Sequence, residues 1–347
     1  MRLTIAAADR TVAIDDGVIV EPAGSPDLAL PDGWAITPGL VDLQVNGMGD
    51  VYPLHDPSRL PELDRMLGEA GVTSYLVAAT SSDPAQVATL ARAADAREPG
   101  SGLLGLHLEG PVLAPTHRGA HAAEHLRTGD DPAARGLLDL PGVRLVTLAP
   151  EVDGAMALAR EAIARGIVVA AGHTGASAEQ ARAAIDAGVR LATHLFNAMT
   201  PVHQREPGAA VAYLVHPEAR VAFICDGAHL HDDTVELILR AAGERALIVS
   251  DAAPVTGEYA ALHGGATLAG STATIADGVR RLVRAQGLSL DDAVWLASAR
   301  PASVLGDRSR GRLEPGARAD LTIWNGDAEV VGCIRSGRWI LEPGSLR

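Results

Sequence analysis

Short apolar runs alternate with segments of helical character along most of the sequence, and this alternation limits the folds open to the chain. Parallel strands buried on both faces read as continuous apolar runs, and helices connect them. Eight such units are the number that closes a (β/α)8 barrel of about 250 residues. We therefore predict an α/β fold, a TIM-type (β/α)8 barrel. Its strands are expected at residues 40–45, 73–79, 103–108, 143–148, 167–171, 191–193, 221–224 and 246–249, and its helices include residues 61–69, 84–96, 154–165, 178–187 and 232–242.

Both ends of the chain carry short strand-like runs separated by turn residues. The runs lie at residues 3–6, 11–13 and 18–20, and again at 320–324, 330–334 and 339–341. Gly, Asp and Asn-Gly turns between short runs of this kind favour hairpins. We predict a small β-sandwich domain built from both termini, residues 1–36 and 308–347, and a barrel that spans residues 37–307.

Charge and composition exclude several classes of protein. The formal net charge is −14, and an acidic surface disfavours binding to nucleic acid or to anionic membranes. The sequence has no lysine, which excludes a Walker A phosphate loop, a pyridoxal Schiff base and a carbamylated lysine between two metal ions. Cys225 and Cys333 lie in apolar stretches and are expected to be free thiols. With no secretory signal and no apolar run of about 20 residues, we expect a cytoplasmic protein.

Polar residues follow most of the predicted strands, where a purely structural strand would need none. In a (β/α)8 barrel these positions face one pocket at the carboxyl end of the strands. A lone histidine at a strand end is more often a hydrogen-bonded core residue, and we interpret His107 in that way. Seven histidines on predicted loops or helices are interpreted as surface groups: His55, His117, His125, His203, His216, His231 and His263. The other polar strand ends, which we expect to line the pocket, are Gln44, Asn46, Glu109, His173, His194, Asn197, Asp226, His229 and Asp251.

Three of these residues form a sensible ligand set for one divalent metal ion. Glu109 ends an apolar strand, and a carboxylate there is costly to bury unless it is paired or bound to a metal. Together with His173 and His194 it suits Zn²⁺ first, and Fe²⁺, Co²⁺ or Mn²⁺ as alternatives. A fourth position stays open for water, whose pKa the metal lowers toward about 7. Asp251 is then placed to take a proton from the water and pass it to a leaving amine.

Longer stretches around these residues form recognisable motifs. They are PGLVDLQVNG (38–47), GLHLEGP (105–111), RGAH (118–121), GHT (172–174), THLFNAM (193–199), REPG (205–208), DGAH (226–229), SD (250–251), ATLAGS (266–271) and LEPGARAD (313–320). Jointly they resemble the N-acetylglucosamine-6-phosphate deacetylases of the amidohydrolase superfamily, and the likeness spans nearly the whole chain. Its most specific part is HLFNAM followed by REPG.

The resemblance implies a reaction and a role for each site residue. The reaction is hydrolysis of N-acetylglucosamine 6-phosphate to glucosamine 6-phosphate and acetate. In the family, part of the phosphate site comes from the neighbouring subunit, which implies a homodimer. The implied roles are metal ligands for Glu109, His173 and His194, general base and then acid for Asp251, stabilisation of the acetamide oxygen for His121, and binding of the sugar phosphate for Asn197, the backbone at Ala198, Arg205 and His229.

The first-strand motif implies one metal ion per subunit. Most members of the superfamily carry His-x-His there to hold a second metal ion, whereas this chain has Gln44-Val45-Asn46. With no lysine available as a bridge, a carbamate-linked pair of metal ions is excluded. Gln44 and Asn46 are expected beside the metal ligands as supporting groups.

The segment that follows Asp251 departs from the family pattern. Residues 252–266 form a shorter segment than the family usually has there, and Ala253-Pro254 replaces the expected residue types. Because the lid over the substrate is shorter, the identity of the substrate is not determined, and three alternatives stand. They are N-acetylgalactosamine 6-phosphate, another N-acylated amine such as an N-acyl amino acid, and a non-catalytic sugar-phosphate-binding protein. The last would be marked by loss of Glu109 or Asp251, and both are present.

Overall fold

The computed structural model describes residues 2–254 and 269–344, and its first strands belong to two small sheets. The strands are β1 Arg2–Ala6, β2 Thr11–Asp15, β3 Val18–Val20, β4 Leu28–Ala29 and β5 Ala35–Pro38. The first four form one sheet in the order β3-β2-β1-β4. Asp16 and Gly17 join β2 to β3 with φ of 48° and 79°. Positive φ at both loop residues matches the twist of a two-residue hairpin, which is why Asp-Gly occurs there.

Eight parallel strands form the barrel in sequence order. They are β6 Leu40–Val45, β7 Val72–Thr80, β8 Leu103–Glu109, β9 Val143–Leu148, β10 Val168–Ala171, β11 Leu191–Ala192, β12 Arg220–Ile224 and β13 Ala246–Val249. The first and last strands meet at a seam, where the N–H of Asn46 donates to the carbonyl of Ala252 at 2.7 Å. The predicted barrel is confirmed, and every expected strand lies within two residues of its observed position.

Helices cover the outside of the barrel. They are α1 Leu60–Glu69, α2 Pro84–Asp95, α3 Pro132–Gly136, α4 Ala155–Ala164, α5 Ala178–Asp186, α6 Gly208–Val215, α7 Asp232–Ala242, α8 Ile275–Gln286, α9 Leu290–Ala297 and α10 Ala299–Val304. Local sequence sets where several begin: Asp83 caps α2 ahead of Pro84, and Ser177 forms a capping box with Gln180 at α5. None of the helices in these ranges is long and apolar enough to cross a lipid bilayer.

The C-terminal strands complete the second small sheet. These strands, β14 Leu321–Trp324, β15 Val330–Arg335 and β16 Arg338–Leu341, combine with β5 in the order β16-β15-β14-β5. Ile5 and Ile14 of the first sheet pack against Ile36 and Leu321 of the second in one buried apolar cluster. This is the sandwich expected from the two termini. The exact domain boundaries, at residues 36 and 308, stay a prediction.

Arg335 links the sandwich to the barrel. Its side chain is only 2% exposed and pairs with the Asp64 carboxylate on α1 at 2.6 Å. It also donates to the carbonyl of Val72 at 3.1 Å. Asp64 in turn accepts hydrogen bonds from Ser101 and Gly102. One buried ion pair thus joins β15 to the α1 side of the barrel.

We expect Arg335→Met to lower the free energy of unfolding by about 3–5 kcal/mol, because it leaves a partly buried carboxylate without its cation. Denaturant unfolding measures this effect. Arg65→Met is the matched control, since Arg65 pairs with Glu69 on the same helix but is 58% exposed. Its loss should cost less than about 1 kcal/mol. Equal effects of the two substitutions would contradict a special role for Arg335.

Candidate active site

A cavity of about 660 Å³ opens at the carboxyl end of the barrel strands. Most of the residues predicted for the site line it: Asn46, Glu109, His121, His173, His194, Asn197, Ala198, His229 and Asp251. Gln44 lies against its floor through hydrogen bonds to Glu109 and Asp251. Arg205 does not line the cavity and is exposed on the loop that precedes α6.

Glu109, His173 and His194 converge on one point. The Nε2 atoms of the two histidines lie 3.1 Å apart, and they lie 3.2 and 3.1 Å from Glu109 Oε1. The ring of His173 donates through Nδ1 to the carbonyl of His117 at 3.0 Å. A neutral His173 therefore presents an unprotonated Nε2 toward the other two groups. Several acceptor atoms thus face one another in a buried place, which is unfavourable unless a cation or a proton lies between them.

The three residues fit a single divalent metal ion. Atoms bound at about 2.0–2.2 Å to one tetrahedral ion lie roughly 3.3 Å apart, close to the separations found here. Burial alone would raise the pKa of Glu109, but the imidazole rings of His173 and His194 beside it hold it well below its usual range. The carboxylate is thus held in the ionised form that a metal ligand needs.

The backbone turns sharply at several of these residues. Positive φ angles occur at His173 (50°), His194 (31°), Ala198 (50°) and Asp251 (50°). Residues other than glycine rarely adopt this region, and each such conformation costs on the order of 1–3 kcal/mol. The strands end abruptly at these turns, so the side chains of three functional candidates are directed into the cavity rather than along the sheet.

Asp251 is held by two carboxamides from β6 and the residues after it. Its Oδ1 accepts hydrogen bonds from Asn46 Nδ2 at 2.8 Å and from Gln44 Nε2 at 3.0 Å. Gln44 Nε2 also donates to Glu109 Oε1 at 2.9 Å. Burial and the nearby negative charge of Glu109 raise the pKa of Asp251 above its usual range. Gln44 and Asn46 thus orient a carboxyl group that can hold and release a proton.

His121 has a defined tautomer. The backbone N–H of Ser81 donates to His121 Nδ1 at 3.1 Å, so the proton of the neutral ring is on Nε2. Burial lowers the pKa of His121 to about 3. The neutral ring therefore offers an Nε2–H donor to the cavity. Nε2 lies 3.8 Å from Glu109 Oε2, which places this donor beside the metal ligands.

A polar layer lies beneath the metal ligands. His107 Nε2 contacts the hydroxyl of Thr147 at 2.8 Å, and that hydroxyl contacts Thr193 at 2.7 Å. His107 is 1% exposed and does not line the cavity, in agreement with its interpretation as a deeper core residue. Asp42 is buried at the seam, where its Oδ1 accepts the N–H groups of Gln44 and Ser250 at 3.2 Å. Burial raises the pKa of Asp42 to about 6.

The wall of the cavity beyond the ligands is formed by two turns. Asn197 and Ala198 follow β11, and Asn197 Nδ2 donates to the carbonyl of His194 at 3.2 Å. His229 follows β12, and its Nδ1 lies 2.8 Å from the Asp226 carboxylate. Hydrogen bonds from His229 keep the pKa of Asp226 below its usual range, although burial would raise it.

Some residues at the site were not assigned a role from the sequence. Ser81 contacts His121. In the sequence Ser81 is part of the Ser-Ser-Asp segment before α2, and nothing there indicates a role in the site. His55, His117 and His125 are predicted to be surface groups, but all three line the cavity. Asp226 is predicted to line the cavity but does not; its carboxylate contacts His229, which does. The shortened segment at residues 252–266 lies mostly outside the described residues, as does His263, which was expected at the surface.

Comparisons with known proteins agree with this arrangement. The model of the amidohydrolase family matches residues 35–340. The chain is 34% identical to human N-acetylglucosamine-6-phosphate deacetylase, over 91% of this chain and 85% of the relative. It is 33% identical to N-acetylgalactosamine-6-phosphate deacetylase of Escherichia coli O157:H7, over 93% and 92%.

A solved structure extends the similarity to three dimensions. It is a mutant of N-acetyl-D-glucosamine-6-phosphate deacetylase from Mycobacterium smegmatis in complex with N-acetyl-D-glucosamine-6-phosphate. Its sequence is 32% identical, its TM-score is 0.88, and the match covers 98% of each chain.

Proposed function

The chain belongs to the amidohydrolase family, and we propose that it hydrolyses the acetamide of N-acetylglucosamine 6-phosphate to glucosamine 6-phosphate and acetate. One observation carries this proposal: Glu109, His173 and His194 converge within one cavity that Asp251 and His121 also line. Relatives that match most of the chain are named for this deacetylation. The chain is accordingly a hydrolase.

Glu109, His173 and His194 would hold one divalent metal ion, for which we propose Zn²⁺ because a carboxylate with two imidazoles suits it. When bound there, the ion would supply Lewis-acid activation of water and of the acetamide carbonyl. Fe²⁺, Co²⁺ and Mn²⁺ would suit the same ligands. Metal analysis of purified protein distinguishes them.

Asp251 carries the proton through the reaction. As water adds to the carbonyl carbon, Asp251 accepts its proton, held in place by Gln44 and Asn46. The C–N bond then breaks, and Asp251 returns the proton to the leaving nitrogen. His121 donates its Nε2–H to the carbonyl oxygen as negative charge develops on it. The acetic acid formed gives its remaining proton to the amine, so acetate and the ammonium form of the sugar leave, and both carboxyl and imidazole return to their starting states.

The test of this function is acetate release by metal-loaded protein. We expect turnover of N-acetylglucosamine 6-phosphate and a much lower kcat/KM for the unphosphorylated sugar. The galactosamine epimer is a second candidate substrate, favoured by the 33% identity to the Escherichia coli enzyme. Release of acetate from neither phosphorylated sugar would refute both proposals. Activity on N-acyl amino acids alone would support the alternative amide hydrolase.

We propose a homodimer in which Arg205 reaches the phosphate bound by the neighbouring subunit. Arg205 is exposed and does not line the cavity of its own chain, whereas a guanidinium is well suited to bind phosphate through two hydrogen bonds. Asn197, the backbone at Ala198 and His229 would hold the sugar phosphate from within the subunit. The cytoplasmic location stays a prediction, with the two buried free cysteines in its favour.

We expect Arg205→Ala to raise KM for the phosphorylated sugar by about 10- to 100-fold, the effect of losing a hydrogen bond to a charged group, with little change in kcat. Steady-state kinetics on phosphorylated and plain sugars measures it. An equal effect on both sugars would refute the phosphate role.

Mixed dimers test whether Arg205 acts across the interface. In a dimer of one Arg205→Ala subunit and one Asp251→Asn subunit, the first keeps its catalytic carboxylate and the second keeps its arginine. If Arg205 acts on its neighbour, mixing the two inactive or weak proteins restores about a quarter of the wild-type activity at low substrate concentration. If Arg205 acts within its own subunit, mixing restores none.

A further inference from the structure

His229 lines the cavity and forms a buried carboxylate–imidazole pair with Asp226. His229 Nδ1 lies 2.8 Å from Asp226 Oδ2, and the side chains are 5% and 8% exposed. The same Oδ2 accepts a hydrogen bond from Ser271 Oγ at 2.7 Å. Asp226 Oδ1 accepts the N–H groups of Ala228 and His229 at 2.9 Å. The carboxylate is thus fixed in position by three donors besides the ring.

This arrangement determines what His229 can offer to a ligand. An ionised carboxylate has no proton to donate, so the proton on the His229 ring must lie on Nδ1. Nε2 is then the ring nitrogen that remains for a molecule in the cavity. In the neutral ring Nε2 is only an acceptor, and phosphate oxygens are acceptors too. Neutral His229 therefore cannot donate to a phosphate, and only the imidazolium form can.

We propose that Asp226 is a positioning residue that makes His229 bind the substrate phosphate as an imidazolium ion, so that affinity for phosphorylated sugars depends on the Asp226 carboxylate. The inference rests on the proposed function, since it assumes that the phosphate contacts His229. It adds a second determinant of phosphate specificity, distinct from the exposed arginine, and predicts that binding is coupled to proton uptake.

Other charges near His229 act weakly on this pair. Arg281 of α8 packs against the turn, and a Cβ on Gly227 would lie 2.5 Å from its guanidinium carbon. Its positive charge is balanced by Asp232 of α7, at 2.7 Å. Across the cavity lie Asp251 and the three metal ligands, which are common to every variant compared below. Asp226 is the one charged group in hydrogen-bond contact with the ring in the described chain.

Asp226→Asn removes the charge and keeps the shape and an oxygen that can accept from Nδ1. The variant lacks the negative charge that stabilises an imidazolium ion at this distance. We expect KM for the phosphorylated sugar to rise about tenfold at pH 8, with KM for the plain sugar unchanged.

Calorimetry gives a readout independent of turnover. Binding of glucosamine 6-phosphate, measured in buffers of different ionisation enthalpy, should show proton uptake by the wild type at pH 8 and less by the variant. His229→Gln should bind weakly at every pH and show no uptake beyond that of the phosphate itself, whose second pKa is about 6. Ser271→Ala is the matched control, because it also removes a hydrogen bond from the Asp226 carboxylate but leaves its charge.

Several results would overturn the inference. They are an unchanged KM profile in Asp226→Asn, an equal loss of affinity for phosphorylated and plain sugars, and binding by the wild type without proton uptake. If Asp226→Asn does not fold, as its thermal unfolding would reveal, His229→Gln and the wild-type proton uptake still decide the question. A wild type that binds the phosphorylated amine with proton uptake but releases no acetate would refute the proposed reaction and leave this inference standing.

Discussion

The Asp251→Asn protein is expected to keep its metal ion, while its kcat falls by a factor of about 10²–10⁴. This factor is the usual contribution of a positioned acid–base group. Asn is close to Asp in size, and Asp251 is not one of the three converging ligands. An amide cannot accept the proton of the attacking water or return one to the leaving nitrogen. KM should change little, because the carboxyl group acts on the proton and not on the sugar.

The measurement combines metal content per subunit with single-turnover release of acetate. Asp42→Asn is the matched control, because Asp42 is a second buried carboxylate at the same seam and does not line the cavity. Its amide oxygen can still accept the N–H groups of Gln44 and Ser250, so kcat should stay within a few-fold of the wild type. Near-normal turnover by Asp251→Asn would remove Asp251 from the mechanism. Equal losses in both variants would indicate a structural effect.

The barrel could be predicted because its strands are buried on both faces. Such strands are continuous apolar runs, and β9 and β13 were located to the residue. Helix α6 is different: its sequence GAAVAYLV is apolar almost all round, so it lacks the amphipathic pattern that marks a surface helix. The pairing of β5 with β14 could not be predicted from the sequence either, because the paired residues Ile36 and Ile323 lie far apart in the chain.

The site was predictable where chemistry depends on side-chain type and strand position. Glu109, His173 and His194 follow three strands of one barrel, and parallel strands bring their carboxyl ends together. Contacts made by backbone atoms leave no comparable signal in the sequence. The carbonyl of His117 sets the tautomer of His173, and the N–H of Ser81 sets that of His121. Any residue type at those positions would supply the same atoms, so only coordinates reveal their roles.

The His194→Ala protein is expected to lose its metal ion and its activity together. Removing one of three protein ligands should reduce metal affinity well beyond the about 10- to 100-fold cost of losing an outer hydrogen-bond partner. Glu109 and His173 would remain 3.2 Å apart, with too few donors to hold a divalent ion firmly. The fold should persist, because the apolar core around the barrel does not depend on this side chain.

Two readouts separate loss of metal from loss of fold. Metal analysis after dialysis should give about one ion per wild-type subunit and almost none for His194→Ala. Added Zn²⁺ at 100 times Kd should stabilise the wild type by about 2.7 kcal/mol. Its thermal unfolding temperature should therefore rise, whereas that of the variant should not change. His125→Ala, which alters another histidine of the cavity wall, should keep its metal. Stoichiometric metal in His194→Ala would refute the ligand assignment.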